Sequence, residues 1–234
     1  MGLRCVRLAR FRLHSPCGEN GACGSWARGG ARMPTHGEIF DTIYRQDFWH
    51  GGSGPGSSEE LTRGYRNFLK YFMRANRIAS VVDLGCGDWQ ISRHMDWTGI
   101  DYTGVDASMV VLESTRKFAR DGVHFLHADA VTEALPPADL LIAKDVLQHW
   151  PNADILTFLA QLPKYRAALI TNAWAPEGSA RSNDDIQVGD WRPINLARPP
   201  FNLPGCFVFA FQAFEVKWVF LWMRPPGVTG FAGQ

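Results

Sequence analysis

Apolar residues recur along this chain in short continuous runs parted by polar, glycine-bearing turns, the pattern of strands buried on both faces. Such runs fall at about 79–84, 101–106, 123–127, 140–143 and 167–171. Between them the spacing is helical. Leu61, Tyr65, Phe68, Leu69 and Phe72 place a one-sided helix near 58–75, with Ser57 and Glu60 at capping-box spacing. Further helices are predicted over about 89–96, over 109–120 behind a Ser108 cap, and from Pro151-Asn152 through Ile155, Leu156, Leu159 and Leu162. Two last runs, near 207–213 and 216–222, read as an antiparallel hairpin closing one sheet edge. The alternation predicts an α/β fold with a mostly parallel sheet covered on both faces.

Two stretches break the rhythm. Phe48 to Ser58 is rich in glycine and serine but too short to link domains. Residues 174–205 carry Trp191, Arg192 and Phe201 among Pro, Asn, Asp and Gly, and a loop of that length in a compact domain is usually functional or disordered. Embedded aromatics and an arginine favour a functional loop.

Charge sets the ends apart. Residues 1–33 hold six arginines and one acid, whereas the other 201 residues hold 18 basic and 22 acidic side chains. The expected organisation is a disordered or wrongly assigned leader over 1–33, a single domain over 34–224 and a flexible tail over 225–234. The 5 cysteines show neither a disulfide framework nor metal-pair spacing, which points to a reducing, cytoplasmic setting and to no metal site. No apolar run approaches the roughly 18–20 residues of a membrane span. The body has no dense basic patch, so neither a nucleic-acid nor a membrane partner is expected.

The candidate chemistry lies at two strand ends. Val81-Val82-Asp83 runs into Leu84-Gly85-Cys86-Gly87-Asp88, where glycines let backbone approach a ligand. The next strand ends in Asp106, 23 residues after Asp83. A glycine turn and a following acid are how α/β sheets hold a nucleoside. A dinucleotide fold needs a third glycine where Gln90 stands, which counts against a nicotinamide cofactor.

Over roughly residues 38–223 the chain resembles the class I S-adenosylmethionine-dependent methyltransferases. The resemblance rests on Asp83-Leu84-Gly85-Cys86-Gly87, Asp106, Asp129 in His127-Ala128-Asp129-Ala130, and Lys144-Asp145 extending to His149; Asp88 departs from the family's third glycine. It implies a Rossmann-like, seven-stranded sheet and S-adenosyl-L-methionine as cofactor. Asp83, Gly85, Cys86, Gly87, Asp106, Ala107, Asp129, Ala130 and Lys144 would bind it. Asp106 would take the ribose hydroxyls and Asp129 the adenine amine. A narrower resemblance joins Gly52–Ser57, Asp83–Gln90, Asp145–His149, Trp191–Leu196 and Pro199–Asn202 to bacterial methyltransferase-domain proteins.

Position after strand four makes His149 a candidate general base, with Asp145 as the alternative. An inert His149 packed against Trp150 is an equal reading. Ser53 and Gly54 are expected to form a flap over the amino-acid end of the cofactor, and the 174–205 loop to cover a small-molecule acceptor. A protein that binds the cofactor without catalysis remains the second reading.

Overall fold

The computed structural model describes residues 32–174 and 182–227. The chain divides into two units, Met1–Pro34 and Thr35–Gln234, and every element below lies in the second. The arginine-rich leader expected over 1–33 lies outside the described residues except for Arg32 and Met33, as do 228–234 of the expected tail and 175–181 of the long loop.

Seven strands form one sheet: β1 Ser80–Leu84, β2 Asp101–Asp106, β3 Val123–His127, β4 Ala138–Lys144, β5 Tyr165–Ala173, β6 Cys206–Gln212 and β7 Val216–Met223. Their order is β3-β2-β1-β4-β5-β7-β6. The first five are parallel, while β7 runs antiparallel to β5 and β6 antiparallel to β7. The Rossmann-like sheet with its antiparallel C-terminal hairpin is therefore as the sequence predicts.

Each central strand is a continuous apolar run because both its faces are covered. One face sets Val82, Leu84, Val105, Leu141, Ala143, Ala168 and Ile170 against Ile155 and Phe158 of α4 (Asn152–Leu159) and against Ile194, Leu196 and Phe201 of the long loop. The other sets Val81, Leu140, Ile142 and Leu169 against Tyr65, Leu69 and Met73 of α2 (Arg63–Ala75). Strand order reverses between β1 and β4, and the crevice at their carboxyl ends is where such sheets bind ligands. Register brings those ends level, with Leu84 beside Val105 and Ala143.

Helices depart more from expectation. The α1 helix (His36–Arg45) was not foreseen, although Thr35 and Glu38 form its capping box. The box expected at Ser57 does not form: the Ser57 hydroxyl donates to Ser53 O, Pro55–Ser57 make a 3₁₀ turn, and α2 starts at Arg63. The helix predicted over 89–96 is a single 3₁₀ turn, Ser92–His94, because Trp89 at φ +63° breaks the helical path. The α3 helix (Met109–Thr115) does begin with Ser108 accepting from Val111 N, and it ends early in another 3₁₀ turn. Among the described residues no helix is long and apolar enough to cross a membrane.

Candidate active site

The turn after β1 is built by residues that leave little room. Gly85 has φ +67° and Gly87 φ +54°, conformations that cost an L side chain about 1–2 kcal/mol. A Cβ at Gly85 would overlap Val146, and one at Gly87 would overlap Ser53 Oγ. Cys86 packs its sulfur on Gly104, whose missing Cβ would lie 3.0 Å from Sγ, and burial pushes the thiol pKa up. It stays a neutral, space-filling group.

Asp83 is turned to an internal task. Its Oδ2 accepts from Ser92 Oγ and Tyr102 Oη, both at 2.7 Å, and Tyr102 Oη accepts from Trp89 Nε1 at 3.0 Å. Burial raises the Asp83 pKa, against which those two bonds and the Lys144 cation act. Trp89 is only 2 % exposed and packs on Tyr102, Phe118 and Phe125. The indole therefore belongs to the core and not to a ligand stack.

Asp106 closes the turn from β2. Oδ2 accepts from Gly87 N and Oδ1 from Ser108 N, each at 2.9 Å. Burial pushes its pKa up to about 6 despite these two bonds. Around it stands the unforeseen α1. Asp41 Oδ1 accepts from Ser108 Oγ at 2.7 Å and Val110 N at 3.1 Å, so α1 caps α3. Tyr44 Oη is 3.3 Å from Ser53 Oγ. Ser53 in turn accepts from Asp88 N and donates its own N–H to Asp88 Oδ2. Gln90 Nε2 donates to Asp88 Oδ2 at 2.6 Å and to Gly51 O at 3.2 Å. The 51–54 segment is thus fastened to the glycine turn by Asp88 and Gln90, the two residues that replace glycines.

Beyond β3, Asp129 Oδ1 accepts from Val131 N at 3.0 Å, and His36 Nδ1 lies 3.6 Å away. Ala107 O and Ala130 O both accept internal bonds, from His127 Nε2 and from Gln161 Nε2. Ala130 is 1 % exposed, which makes it core.

After β4 a charge cluster assembles. Asp145, at φ +59°, is ion-paired with Lys144 and with Lys217 of β7, the latter at 2.8 Å, and Lys217 also reaches Glu215 at 3.1 Å. Burial would raise the Asp145 pKa, but the two lysine cations win and hold it at about 2. A carboxylate held there is ionised at neutral pH, with its charge matched by the two ammonium groups. Lys144 points its ammonium to Asp145 and to Gly56 O.

His149 donates Nδ1–H to Asp190 O at 2.9 Å, which leaves a lone pair on Nε2, faced by the Gln148 amide nitrogen at 3.4 Å. Its ring lies 5.4 Å from that of Trp49. Burial pulls the pKa down to about 4, so the imidazole is neutral at pH 7. Arg192, fully buried, donates to Leu147 O, Asp184 O and Asn152 Oδ1 and so pins the long loop beside this turn. His36, Asp41, Tyr44 and Lys217 escaped the sequence reading. Only the Thr35–Glu38 capping box offered a signal for the first three.

The strand order, the glycine turn at the β1/β4 switch and the acid ending β2 define the class I S-adenosylmethionine-dependent methyltransferase fold. A family model described as a methyltransferase domain matches residues 81–165. No curated protein matches in sequence. The magnesium protoporphyrin IX methyltransferase of Synechocystis PCC 6803 with bound S-adenosylhomocysteine is similar at TM-score 0.57 and 14% identity, over 80% of this chain and 99% of that one. Human N-acetylserotonin methyltransferase in complex with S-adenosylmethionine is similar at TM-score 0.53 and 16% identity, over 82% of this chain and 60% of that one. A structure described by the conversion of a disulfide bond into a thioacetal group during echinomycin biosynthesis matches at TM-score 0.53 and 19% identity, over 82% and 94%.

Proposed function

We propose that this protein moves a methyl group from S-adenosylmethionine to a small-molecule acceptor. The observation that carries the reading is Asp106, whose carboxylate is fixed at the end of β2 by Gly87 N and Ser108 N. An ionised carboxylate keeps lone pairs beyond those two bonds and can still accept from the two ribose hydroxyls. Gly85 and Gly87 also let the turn pack against Val146 and Ser53 where a Cβ would collide, which sets the turn's backbone close beside Asp106. Asp129 would accept from the adenine amine, and the 51–54 segment would cover the amino-acid end.

When bound, the cofactor supplies an electrophilic methyl on a sulfonium sulfur. What this chain contributes is alignment of donor and acceptor, worth up to about 7–11 kcal/mol. The acceptor would lie between the end of β4, the flap and the loop pinned by Arg192, beside Trp49 and the neutral His149. Support for a small acceptor comes from relatives whose names specify a porphyrin and N-acetylserotonin.

One observation favours a second reading, a cofactor-binding protein without turnover: Asp145 and His149 are both committed to internal partners. Calorimetry with S-adenosylhomocysteine, followed by an acceptor screen read as S-adenosylhomocysteine release, separates the two. Release with any small acceptor supports transfer. Binding without release across the screen supports the second reading, and no binding by the wild type discards both.

A further inference from the structure

We propose that the solvent face of α2 is a docking surface for an anionic lipid bilayer, a role that stands apart from the cofactor reading above. The overall charge balance predicts no membrane partner, yet folding gathers on this helix what a count along the chain spreads out. Residues 61–82 hold five basic side chains and no acid. Tyr65, Leu69 and Met73 bury one side of α2 against the sheet. Arg63, Lys70 and Arg74 stand on the other side, at spacings of seven and four residues. Exposed Asn67 and Tyr71 share that side, and exposed Arg77 follows the helix end.

Helix stability does not explain these cations. Arg63 stands in the first turn, where a positive charge opposes the helix dipole and no acid offsets it. Lys70 and Arg74 are like charges one turn apart, which repel. Arg63, Lys70, Arg74 and Arg77 are all exposed, and among the described residues none of them makes a salt bridge. Acids near the helix have other partners. Glu59 lies 3.6 Å from His94, while the Thr98 N–H and hydroxyl, and then Lys70, hold the Asp96 carboxyl below the usual range. The fifth cation behaves differently: Arg66 is buried and donates to Glu59 O and Thr62 Oγ1.

The form of the face selects the partner. From Arg63 to Arg74 the row runs about 16 Å along the axis, at about 1.5 Å per residue. It lies on the outside of a helix, so a flat anionic surface meets every cation at once, whereas a nucleic-acid strand is held in a groove that tracks its backbone. Tyr71, 74% exposed, adds an amphipathic ring of the kind that sits at headgroup level. The apolar side chains of α2 are committed to the core, so the helix has no free apolar face to sink into the bilayer. Attachment is therefore electrostatic, with each cation near the surface contributing about fivefold in affinity.

Sedimentation of the full chain with vesicles tests the assignment and needs neither cofactor nor acceptor. Vesicles of phosphatidylserine and phosphatidylcholine in equal parts should bind about a hundredfold more tightly than phosphatidylcholine alone. That binding should vanish at about 1 M salt, where the Debye length is about 3 Å. Lys70→Gln with Arg74→Gln should weaken it about twenty-fivefold at an unchanged melting temperature, since glutamine keeps the helix propensity. Arg116→Gln with Lys117→Gln, exposed cations of the 3₁₀ turn after α3, should leave it within about twofold, because charges beyond a Debye length from the contact are screened. Equal losses in the two pairs reduce the effect to net charge and overturn the docking face. Undiminished binding in the α2 pair places the contact elsewhere on the chain and overturns it too, as does equal binding to both vesicles or binding to neither. A single-stranded RNA that binds more tightly than the vesicles, and loses that binding in the α2 pair, overturns the lipid in favour of nucleic acid.

Discussion

Cofactor affinity should titrate with Asp106. Burial pushes its pKa up to about 6, while Ser108 N and Gly87 N pull the other way and Asp83 adds repulsion. Only the ionised form can accept from both ribose hydroxyls and keep its backbone bonds. With that pKa roughly 97% of the carboxyl is ionised at pH 7.5 and about 10% at pH 5, so the Kd for S-adenosylhomocysteine should weaken about tenfold, about 1.4 kcal/mol. Stability should run the opposite way. The folded pKa lies above the ordinary value of 3.8, so the fold binds the proton more tightly than the unfolded chain does. That contribution is complete below the ordinary value and is lost as pH rises towards 6, an effect on the order of 3 kcal/mol. Calorimetry between pH 5 and 8 at constant ionic strength, beside thermal melts without ligand, reads both curves. Asp106→Asn should bind more weakly at pH 7.5 and lose the pH dependence. A flat Kd in the wild type, or the same slope surviving in Asp106→Asn, would refute the reasoning.

Other substitutions test the supports of the site. Tyr102→Phe removes one bond to Asp83 and leaves the buried Trp89 Nε1–H without its acceptor. At about 1–3 kcal/mol per group stranded, urea unfolding should show a loss of about 2–4 kcal/mol, and an unchanged midpoint would remove the network from the account. Gly87→Ala must place a Cβ at φ +54° where Ser53 Oγ lies. We expect a loss of about 1–2 kcal/mol from backbone strain alone, with weaker S-adenosylhomocysteine binding as Ser53 is displaced; wild-type affinity would contradict the tight packing. Arg192→Met removes the donor shared by Leu147 O, Asp184 O and Asn152 Oδ1, of which Leu147 O keeps the Trp150 N–H. Stability should drop by about 3 kcal/mol, and limited proteolysis should cut first within 182–203; wild-type resistance would show that the arginine does not pin the loop.

What could be read from the sequence was local. A buried parallel strand announces itself by a continuous apolar run, and Asp106 and Ser108 follow from standing where such a run ends and a helix begins. Contacts that join distant segments left no comparable trace. Lys217 reads as one more polar position in a hairpin until β7 pairs with β5 and carries it to Asp145. Two capping boxes had the same spacing, yet only Thr35–Glu38 formed, because Ser57 is spent on Ser53 O. Gln90 makes the sharpest case. By analogy with dinucleotide folds it reads as the loss of a glycine that lets helix and strand pack closely. Here its amide holds Gly51 O and the Asp88 carboxylate, and Asp88 holds Ser53 over Gly87. The substitution that weakens a pyrophosphate cradle is the one that fastens the 51–54 segment, an interaction glycine has no atoms to make.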